Sequence, residues 1–571
     1  MEQNLIEEKK TFNRNKWCYS LGGIGRDMTY TLVATFLMVY IQYTMNLSIA
    51  QFSTISILLV VGRVWDAIND PIMGALIENT RGKWGKFKPW ILAGAIGTAI
   101  IIILMFNIRT YTGWDFVIFF AISYFIWELV FTMNDISYWS MMASLSTDAE
   151  KRDKITTLAV VFAGVGAFAA NAIIALAAGD MVKFYGGVAI GIAFALVACQ
   201  CLTVFGVKEN KDLVNEEKSD SKVTFKDMIN TIKNNDQLLW MTLAMFLYNV
   251  GSSLLGGTLA YNMIYLEIEY NGLLGTILVA CLGVSSILFQ SFYAKFAKIF
   301  KRKKLLNYSW YIILFGYLML LTLGFTFIPI NIVTICIFAI FVFSGQAIFY
   351  MILTINLTNT IEYNDYKTGS RREGVIFSLR PFMAKFASAV DQLIVTAILI
   401  FSGIYSLTNN ISMLETQKND FESQYIYGTE EKQLEYMENL ENHVVIFDQQ
   451  LQDKLNEIEK DSFDSDEEKQ AAIQKAKDEI EEMYEILETC TFEKKEGSNL
   501  YQMTINEAAN SIFRSGTSKE QTKMKFLLRC GITVIPVIFI FASYIVLKKK
   551  YIIDEEMYDM MTTEIERRNK E

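Results

Sequence analysis

Apolar runs of bilayer-spanning length recur along the whole chain, and they leave few folds open to it. Twelve can be read, at 18–44, 53–77, 89–107, 115–145, 155–179, 184–206, 238–266, 271–296, 304–328, 331–359, 374–405 and 524–547. A helix needs ~20 residues to cross ~30 Å of hydrocarbon. Backbone groups in that layer have no water to bond, so a chain of such runs folds as a helical bundle. The 571 residues are 52% hydrophobic, with a mean hydropathy of +0.27, which is more apolar than soluble domains usually are. Residues 1–16 are too charged for a signal peptide. The first run is therefore expected to stay as an uncleaved anchor.

Lysine and arginine alternate along the loops. Lys9, Lys10, Arg14 and Lys16 precede the first run, and Arg81, Lys83, Lys86 and Lys88 follow the second. Lys151, Arg152 and Lys154 follow the fourth, and Lys208 to Lys233 fill the connector after the sixth. Lys295 to Lys304 follow the eighth, Lys367 to Arg372 the tenth and Lys548 to Lys550 the twelfth. The intervening short loops hold little more than Arg109 and Lys183. Basic residues stay cytoplasmic, so both termini are expected in the cytoplasm of a multi-pass cell-membrane protein.

Six runs, a polar connector and six more runs suggest two bundles of one carrier. The expected units are 1–206 (first bundle), 207–237 (cytoplasmic linker with a short amphipathic helix at Phe225 to Ile232), 238–405 (runs seven to eleven), 406–522 (insertion), 523–549 (run twelve) and 550–571 (cytoplasmic tail). The insertion is acidic. From Met413 to Gly497 there are 25 Asp and Glu against 9 Lys, a net of −16, whereas the whole chain is −9. Leu434, Met437, Val444, Phe447, Leu451, Leu455 and Ile458 recur at helical spacing, as do Ile473, Ala476, Ile480, Met483 and Leu487. This predicts an antiparallel helical hairpin outside the membrane. A solvated acidic spacer is the alternative. The seams suffice to cover each other, so the hairpin is expected to need no support from the bundle and to stand outside the transport machinery. No strand pattern is read anywhere.

Charge inside the second run is the first pointer to function. Asp66, Asn69 and Asp70 share one helical face by their spacing. Carboxylates in hydrocarbon are costly and mark ion or substrate sites by default. A helix end at Asp70 and Pro71 is the competing reading. Seven cysteines, mostly in or beside apolar runs, and a single histidine, His443, give no disulfide framework and no histidine metal site. No nucleophile–base pair, metal cluster or phosphate loop is found, and Gly22-Gly-Ile-Gly25 is too short for a nucleotide fingerprint. An enzyme and a nucleic-acid binder are both disfavoured, and no oligomer is required.

Several motifs resemble the glycoside–pentoside–hexuronide:cation symporters, the melibiose-carrier-like branch of the major facilitator superfamily. They are Gly25-Arg-Asp27, Gly62-Arg-Val-Trp-Asp-Ala-Ile-Asn-Asp-Pro-Ile-Met-Gly74, Arg81-Gly-Lys-Trp-Gly-Lys-Phe-Lys-Pro-Trp90, Asn134-Asp-Ile-Ser-Tyr-Trp139, Lys233-Asn-Asn-Asp-Gln237 and Thr360-Ile-Glu-Tyr-Asn-Asp-Tyr-Lys367. The resemblance implies an all-α membrane protein with the major-facilitator fold, twelve transmembrane helices in two six-helix bundles, and alternating access. It implies a cation site of Asp66, Asn69, Asp70, Thr132 and Asp135. It implies a sugar site of Asp27, Asp135 and Trp139 with Arg26 beside it. Lys385 takes the position of a lysine that meets the second-run acids, and Arg81, Lys83 and Lys86 that of a cytoplasmic gate. An interfacial anchor for Trp139, a structural ion pair for Asp27 and a headgroup patch for the basic loop are the bland alternatives.

The chain also departs from that pattern. Ala159-Val-Val-Phe162 stands where many sugar-transporting members have an arginine, and Arg380 either replaces it or faces the cytoplasm. Glu128 and Asp391 add intramembrane acids. The expected function is symport of a glycoside, oligosaccharide, pentoside or hexuronide with sodium or a proton, and no other cofactor or metal. Asn69 and Thr132 offer neutral oxygens that suit sodium. A carrier of a non-sugar solute or lipid, or a non-transporting receptor, is the alternative.

Overall fold

A capping box shows how locally the helices are specified. The Ser48 hydroxyl accepts from the Gln51 backbone N–H, and the Gln51 side chain closes back on Ser48, which starts the second helix where the sequence changes from polar to apolar. The computed structural model describes residues 2–80, 84–145, 149–208, 233, 235–369, 373–423, 428–442, 451, 455, 458–459 and 466–570. In chain order its helices are α1 (Glu2–Thr44), α2 (Ile49–Asn79), α3 (Lys88–Asn107), α4 (Gly113–Met141), α5 (Ala149–Ile174) and α6 (Met181–Gly206). Then come α7 (Asp236–Ser253), α8 (Thr258–Glu267), α9 (Gly272–Ile299), α10 (Arg302–Thr322), α11 (Ile332–Thr368) and α12 (Glu373–Ser402). The insertion adds α13 (Ile404–Glu422), α14 (Glu430–Glu441), α15 (Asp466–Glu488), β1 (Thr491–Lys494), β2 (Tyr501–Thr504) and α16 (Asn506–Arg514). Last are α17 (Ser518–Lys550) and α18 (Glu555–Lys570).

The two halves repeat one arrangement. In the first, α1 packs on α5 and α6, α3 on α4 and α6, and α2 on α4. In the second, α7 packs on α12 and α17, α10 on α11 and α17, and α9 on α11. Eleven helical stretches among the described residues are long and apolar enough to cross a membrane. The remaining member of the two sets, α1, is less apolar because it carries Arg26, Asp27 and a series of tyrosines and threonines. Its packing on α5 and α6 places it among the spans all the same. The seventh span is not one helix as the pattern predicted. It breaks between Ser253 and Thr258, where Gly256 and Gly257 follow each other and helix propensity is low.

Two of the motifs turn out to be one structural clamp. The Asn235 amide donates to the Thr360 carbonyl at 3.1 Å. The Tyr363 hydroxyl and the Lys367 ammonium donate to Asp236 at 3.0 and 2.7 Å. The end of the linker is thereby fixed to the foot of α11. The tail is also docked, with Lys303 on Asp554 at 3.0 Å and Arg568 on Asp365. The predicted amphipathic helix at Phe225 to Ile232 lies outside the described residues.

The insertion differs from the expected hairpin in three ways. First, it contains strands: β1 and β2 pair antiparallel, Thr491 with Thr504 and Lys494 with Tyr501. The turn uses Gly497 at φ +74°, and Phe492 packs on Phe421 at 5.1 Å between ring centres. Second, α14 buries Gln433, Tyr436 and Leu440, and Leu434 points outward. Tyr436 packs against Phe421 with the rings tilted, and the Gln433 amide donates to the Phe421 and Tyr501 carbonyls at 3.0 Å. The apolar spacing alone could not weigh those partners. By contrast, Ala476, Ile480, Met483 and Leu487 of α15 are buried as the seam predicted. Most of residues 443–465, His443 included, lies outside the described residues. Third, the insertion does not stand apart. Helix α13 packs on α1 and α6, and α16 packs on α8.

Close helix packing in the first half rests on glycine. A Cβ on Gly166 of α5 would sit 2.2 Å from the Ile24 carbonyl oxygen of α1, so only glycine allows this approach beside Arg26 and Asp27. Gly187 of α6 has nothing within 4 Å of such a Cβ. We therefore expect Gly166→Val to destabilise the protein by about 1–3 kcal/mol through overpacking, and Gly187→Ala to leave it as stable or raise it by up to ~1 kcal/mol. Thermal unfolding of the purified protein in detergent measures both. Equal midpoints for the two variants would contradict this account of the α1–α5 contact.

Candidate functional site

Lys385 joins the two halves at the centre of the bundle. It projects from α12, and its ammonium lies 2.8 Å from Asp66 Oδ2 and 2.6 Å from Asp70 Oδ2, both on α2. Helix α2 runs on to Asn79, so Asp70 and Pro71 do not end it. The side chain of Asp66 is 6% exposed and that of Asp70 35%, so Asp70 forms the accessible side of the pair. The Thr132 hydroxyl of α4 donates to Asp66 Oδ1 at 3.0 Å. Asn69 is buried beside them, and its amide nitrogen has no hydrogen-bond partner among the described residues. Four of the five residues expected at a cation site are thus brought together.

The fifth, Asp135, is placed with the other set. Arg26 of α1 binds Asp135 of α4, and its Nε donates to Asp27 at 3.0 Å. The guanidinium carbon lies 4.7 Å from the Trp139 ring centre and 5.1 Å from that of Tyr138, in reach of cation–π attraction. Tyr138 is held from behind. Its hydroxyl donates to the Tyr19 carbonyl at 2.7 Å, that of Tyr19 donates back to the Tyr138 carbonyl at 2.8 Å, and the rings stack at 4.5 Å. Arg26 therefore gathers Asp27, Asp135 and Trp139 into one cluster, with the two carboxylates 22% and 33% exposed. Thr132 and Asp135 are one turn apart on α4, so the two clusters adjoin. Asn134, in the same motif, faces away and donates to the Ile91 carbonyl of α3 at 2.8 Å.

Other expectations fall elsewhere. Arg380 does not join the Arg26 cluster. Its Nε donates to the Tyr350 hydroxyl of α11 at 3.1 Å, and Val160 and Val161 of α5 are exposed. Of the gate residues, Arg81 and Lys83 lie outside the described residues. Lys86 is buried, its ammonium 5.1 Å from the Phe87 ring centre.

Two further charged residues belong to the centre and were not assigned to it. Arg63 of α2 and Glu128 of α4 lie 3.6 Å apart, 11% and 2% exposed. Arg63 is one turn before Asp66, and Glu128 one turn before Thr132, so their spacing to those two residues was the available signal. Asp391 of α12 accepts from the Ser253 hydroxyl at 2.6 Å, at the break between α7 and α8.

Hydrogen bonds between the halves continue from Lys385 towards the end that carries the insertion. The Thr396 hydroxyl donates to Ser56 at 2.7 Å. The Gln42 amide and the Tyr43 hydroxyl both donate to Asn262 at 2.8 Å, and the Tyr405 hydroxyl donates to the Leu47 carbonyl at 2.8 Å. The bundle is closed at that end.

Comparisons with known proteins place the chain in a family. Residues 18–425 match the family described as MFS/sugar transport protein. A lactose permease of Lactobacillus helveticus is 26% identical over 456 residues, which is 75% of this chain and 68% of the relative. A raffinose carrier protein of Pediococcus pentosaceus is 26% identical over 411 residues, 68% of this chain and 62% of the relative. A solved bacterial homologue of the human lysosomal transporter Spinster superposes with a TM-score of 0.53 at 12% identity, over 95% of this chain and 98% of that one. At that identity the likeness concerns the fold alone. The chain is a membrane transporter and not an enzyme, and it belongs to the MFS/sugar transport protein family, the glycoside–pentoside–hexuronide symporters of the major facilitator superfamily.

Proposed function

We propose that this chain is a cation-coupled symporter of a glycoside or short oligosaccharide that works by alternating access. The observation that carries the reading is the Lys385 ammonium between Asp66 and Asp70, two carboxylates of the opposite half. A monovalent cation entering past Asp70 would compete with that ammonium for the same oxygens. Binding would then release the bond that ties α2 to α12. A ligand can shift a two-state equilibrium only by preferring one state, and this competition supplies such a preference. Sodium suits the site, because Thr132 and Asn69 add neutral oxygens to the carboxylates.

The adjoining cluster supplies the sugar site in this reading. Asp27 and Asp135 accept from vicinal hydroxyls, and Trp139 stacks on the apolar face of a pyranose ring. Arg26 now engages all three, so a bound sugar would take over bonds that Arg26 makes. Lactose and raffinose, named for the two relatives, are the first substrates to try. The end that bears the basic loops would face the cytoplasm, with both termini, and the insertion would lie outside.

Uptake into proteoliposomes tests the reading. A panel of labelled glycosides should be accumulated under a sodium gradient, or failing that under a proton gradient. Asp66→Asn and Asp70→Asn should abolish accumulation, because each removes one of the two carboxylates that the cation and Lys385 would share. Accumulation of the panel without any cation gradient, or normal accumulation in both variants, would defeat the symporter assignment.

Sugar binding is checked separately. Trp139→Ala should weaken it by about fivefold, as loss of ~1 kcal/mol of aromatic contact implies, and Asp27→Asn should weaken it through loss of one oxygen acceptor. Unchanged affinity in both variants would move the sugar elsewhere or favour another solute. The orientation has its own measurement. Protease added outside intact cells should cut within 428–497 and leave the 555–570 helix intact, and the opposite pattern would invert the topology.

A further inference from the structure

The insertion has no part in the transport reading above, yet it is bonded to both halves of the carrier. Helix α13 leaves α12 through Gly403, which has φ +82°, a left-handed turn that suits glycine. Three turns on, Glu415 is 1% exposed. Its Oε1 accepts from the Gly179 N–H at 2.9 Å and from the Tyr270 hydroxyl at 2.7 Å, and its Oε2 accepts from the Met181 N–H at 2.7 Å. Gly179 and Met181 flank the turn between α5 and α6, in the first half. Tyr270 lies in the turn between α8 and α9, in the second.

Neighbouring residues reinforce the same junction. The Lys418 ammonium donates to the Gly179 carbonyl at 2.6 Å. Arg109, between α3 and α4, donates to the Thr44 carbonyl at 2.7 Å and to the Thr416 hydroxyl at 3.1 Å. The far end of the insertion returns to the same place. Asn510 Oδ1 accepts from the Tyr270 N–H at 2.8 Å, and the Asn506 amide donates to the Tyr270 carbonyl at 3.2 Å. Burial pushes the Glu415 carboxyl up to about 7, against the pull of its hydrogen-bond donors and of Lys418. The buried carboxylate therefore depends on those donors staying in place.

We infer that the insertion is the gate of its own end of the carrier, and that Glu415 is the positioning residue that bolts the α5–α6 turn of one half to the α8–α9 turn of the other. The inference rests on the alternating-access reading. Opening that end must part the two turns, and Glu415 is bonded to both. The bolt must therefore break in each cycle, either at the two backbone N–H groups or at the Tyr270 hydroxyl.

The test uses the full chain in liposomes and needs no substrate. Ser56 is 1% exposed and lies between α2 and α12 under the closed end. In a Ser56→Cys background, an impermeant maleimide added on the insertion side reports opening, after subtraction of labelling in the parent chain. Glu415→Gln places an amide N–H where a backbone N–H now donates, and should raise the labelling rate about tenfold. Tyr270→Phe removes only the second-half hydroxyl and should raise it by roughly fivefold. Unchanged rates in both variants, even with a lowered unfolding temperature, would mean that Glu415 only staples the insertion and would overturn the gate. Should Glu415→Gln fail to fold, Tyr270→Phe decides alone. Loss of cation-driven uptake in the parent would sink the symporter reading without altering this labelling result.

Discussion

One ammonium between two carboxylates of the opposite half is the interaction on which the rest of the centre depends. Charges in hydrocarbon are tolerated only when paired, and removing one member of a buried pair costs more than the pair itself contributes. Asp66 and Asp70 of α2 share the one ammonium that Lys385 brings from α12. The pair thus fixes the approach of the two helices and with it the approach of the halves. The Thr132 bond to Asp66 extends the constraint to α4, and one turn along α4 Asp135 carries it to Arg26 of α1. Three helices of the first half are in this way referred to a single residue of the second.

At the end that carries the insertion the chemistry changes from ion pairs to neutral hydrogen bonds. Asn262 accepts from both Gln42 and Tyr43, and Thr396 donates to Ser56. Bonds of this kind are worth about 1 kcal/mol each, so they can be exchanged for water without leaving a stranded charge. Glu415 is a charged group there, a carboxylate 1% exposed, with Lys418 buried beside it. It is tolerable because each oxygen is met by donors, and the cost of desolvating it is offset only while the two turns remain together. A seam of individually weak bonds with one demanding bolt is a closure that can be strong when complete and can open as a unit.

Much of this was legible in the sequence, and the failures have identifiable causes. The spans were readable because a lipid-facing helix must be apolar over a fixed length. Asp66, Asp70 and Lys385 were readable because charge in such a run needs a reason. Asp135 was assigned to both sites, since spacing along α4 gives its face but not which basic residue reaches it; in the structure that residue is Arg26. The break at Gly256 and Gly257 was hidden by an apolar run that continues through it. The β-hairpin at Thr491 to Thr504 was missed because its strands are only four residues each and lie among charges. The anchoring of Glu415 left no local signal, because its partners are backbone groups at 179 and 181 and a hydroxyl at 270. Contacts across such separations follow from the fold and not from neighbouring residues.

Glu128 gives the central cluster one carboxylate more than its basic residues. Three carboxylates, Asp66, Asp70 and Glu128, face two cations, Arg63 and Lys385. Beside them, Asp27 and Asp135 face Arg26. Each cluster therefore holds one carboxylate more than its basic residues neutralise among the described residues. A low-dielectric setting makes such an excess attractive to anything that brings positive charge or hydrogen-bond donors. In the proposed cycle the first cluster is completed by a monovalent cation and the second by the hydroxyls of a sugar. Without Glu128 the first cluster would already be neutral, and an entering cation would have to displace Lys385 outright. With Glu128, Arg63 is occupied one turn away from Asp66, and the entering cation meets a site with negative charge to spare. In the proposed cycle the added acid would thus favour cation entry while Lys385 is still close at hand, and the competition at Asp70 would be gradual and not all-or-none.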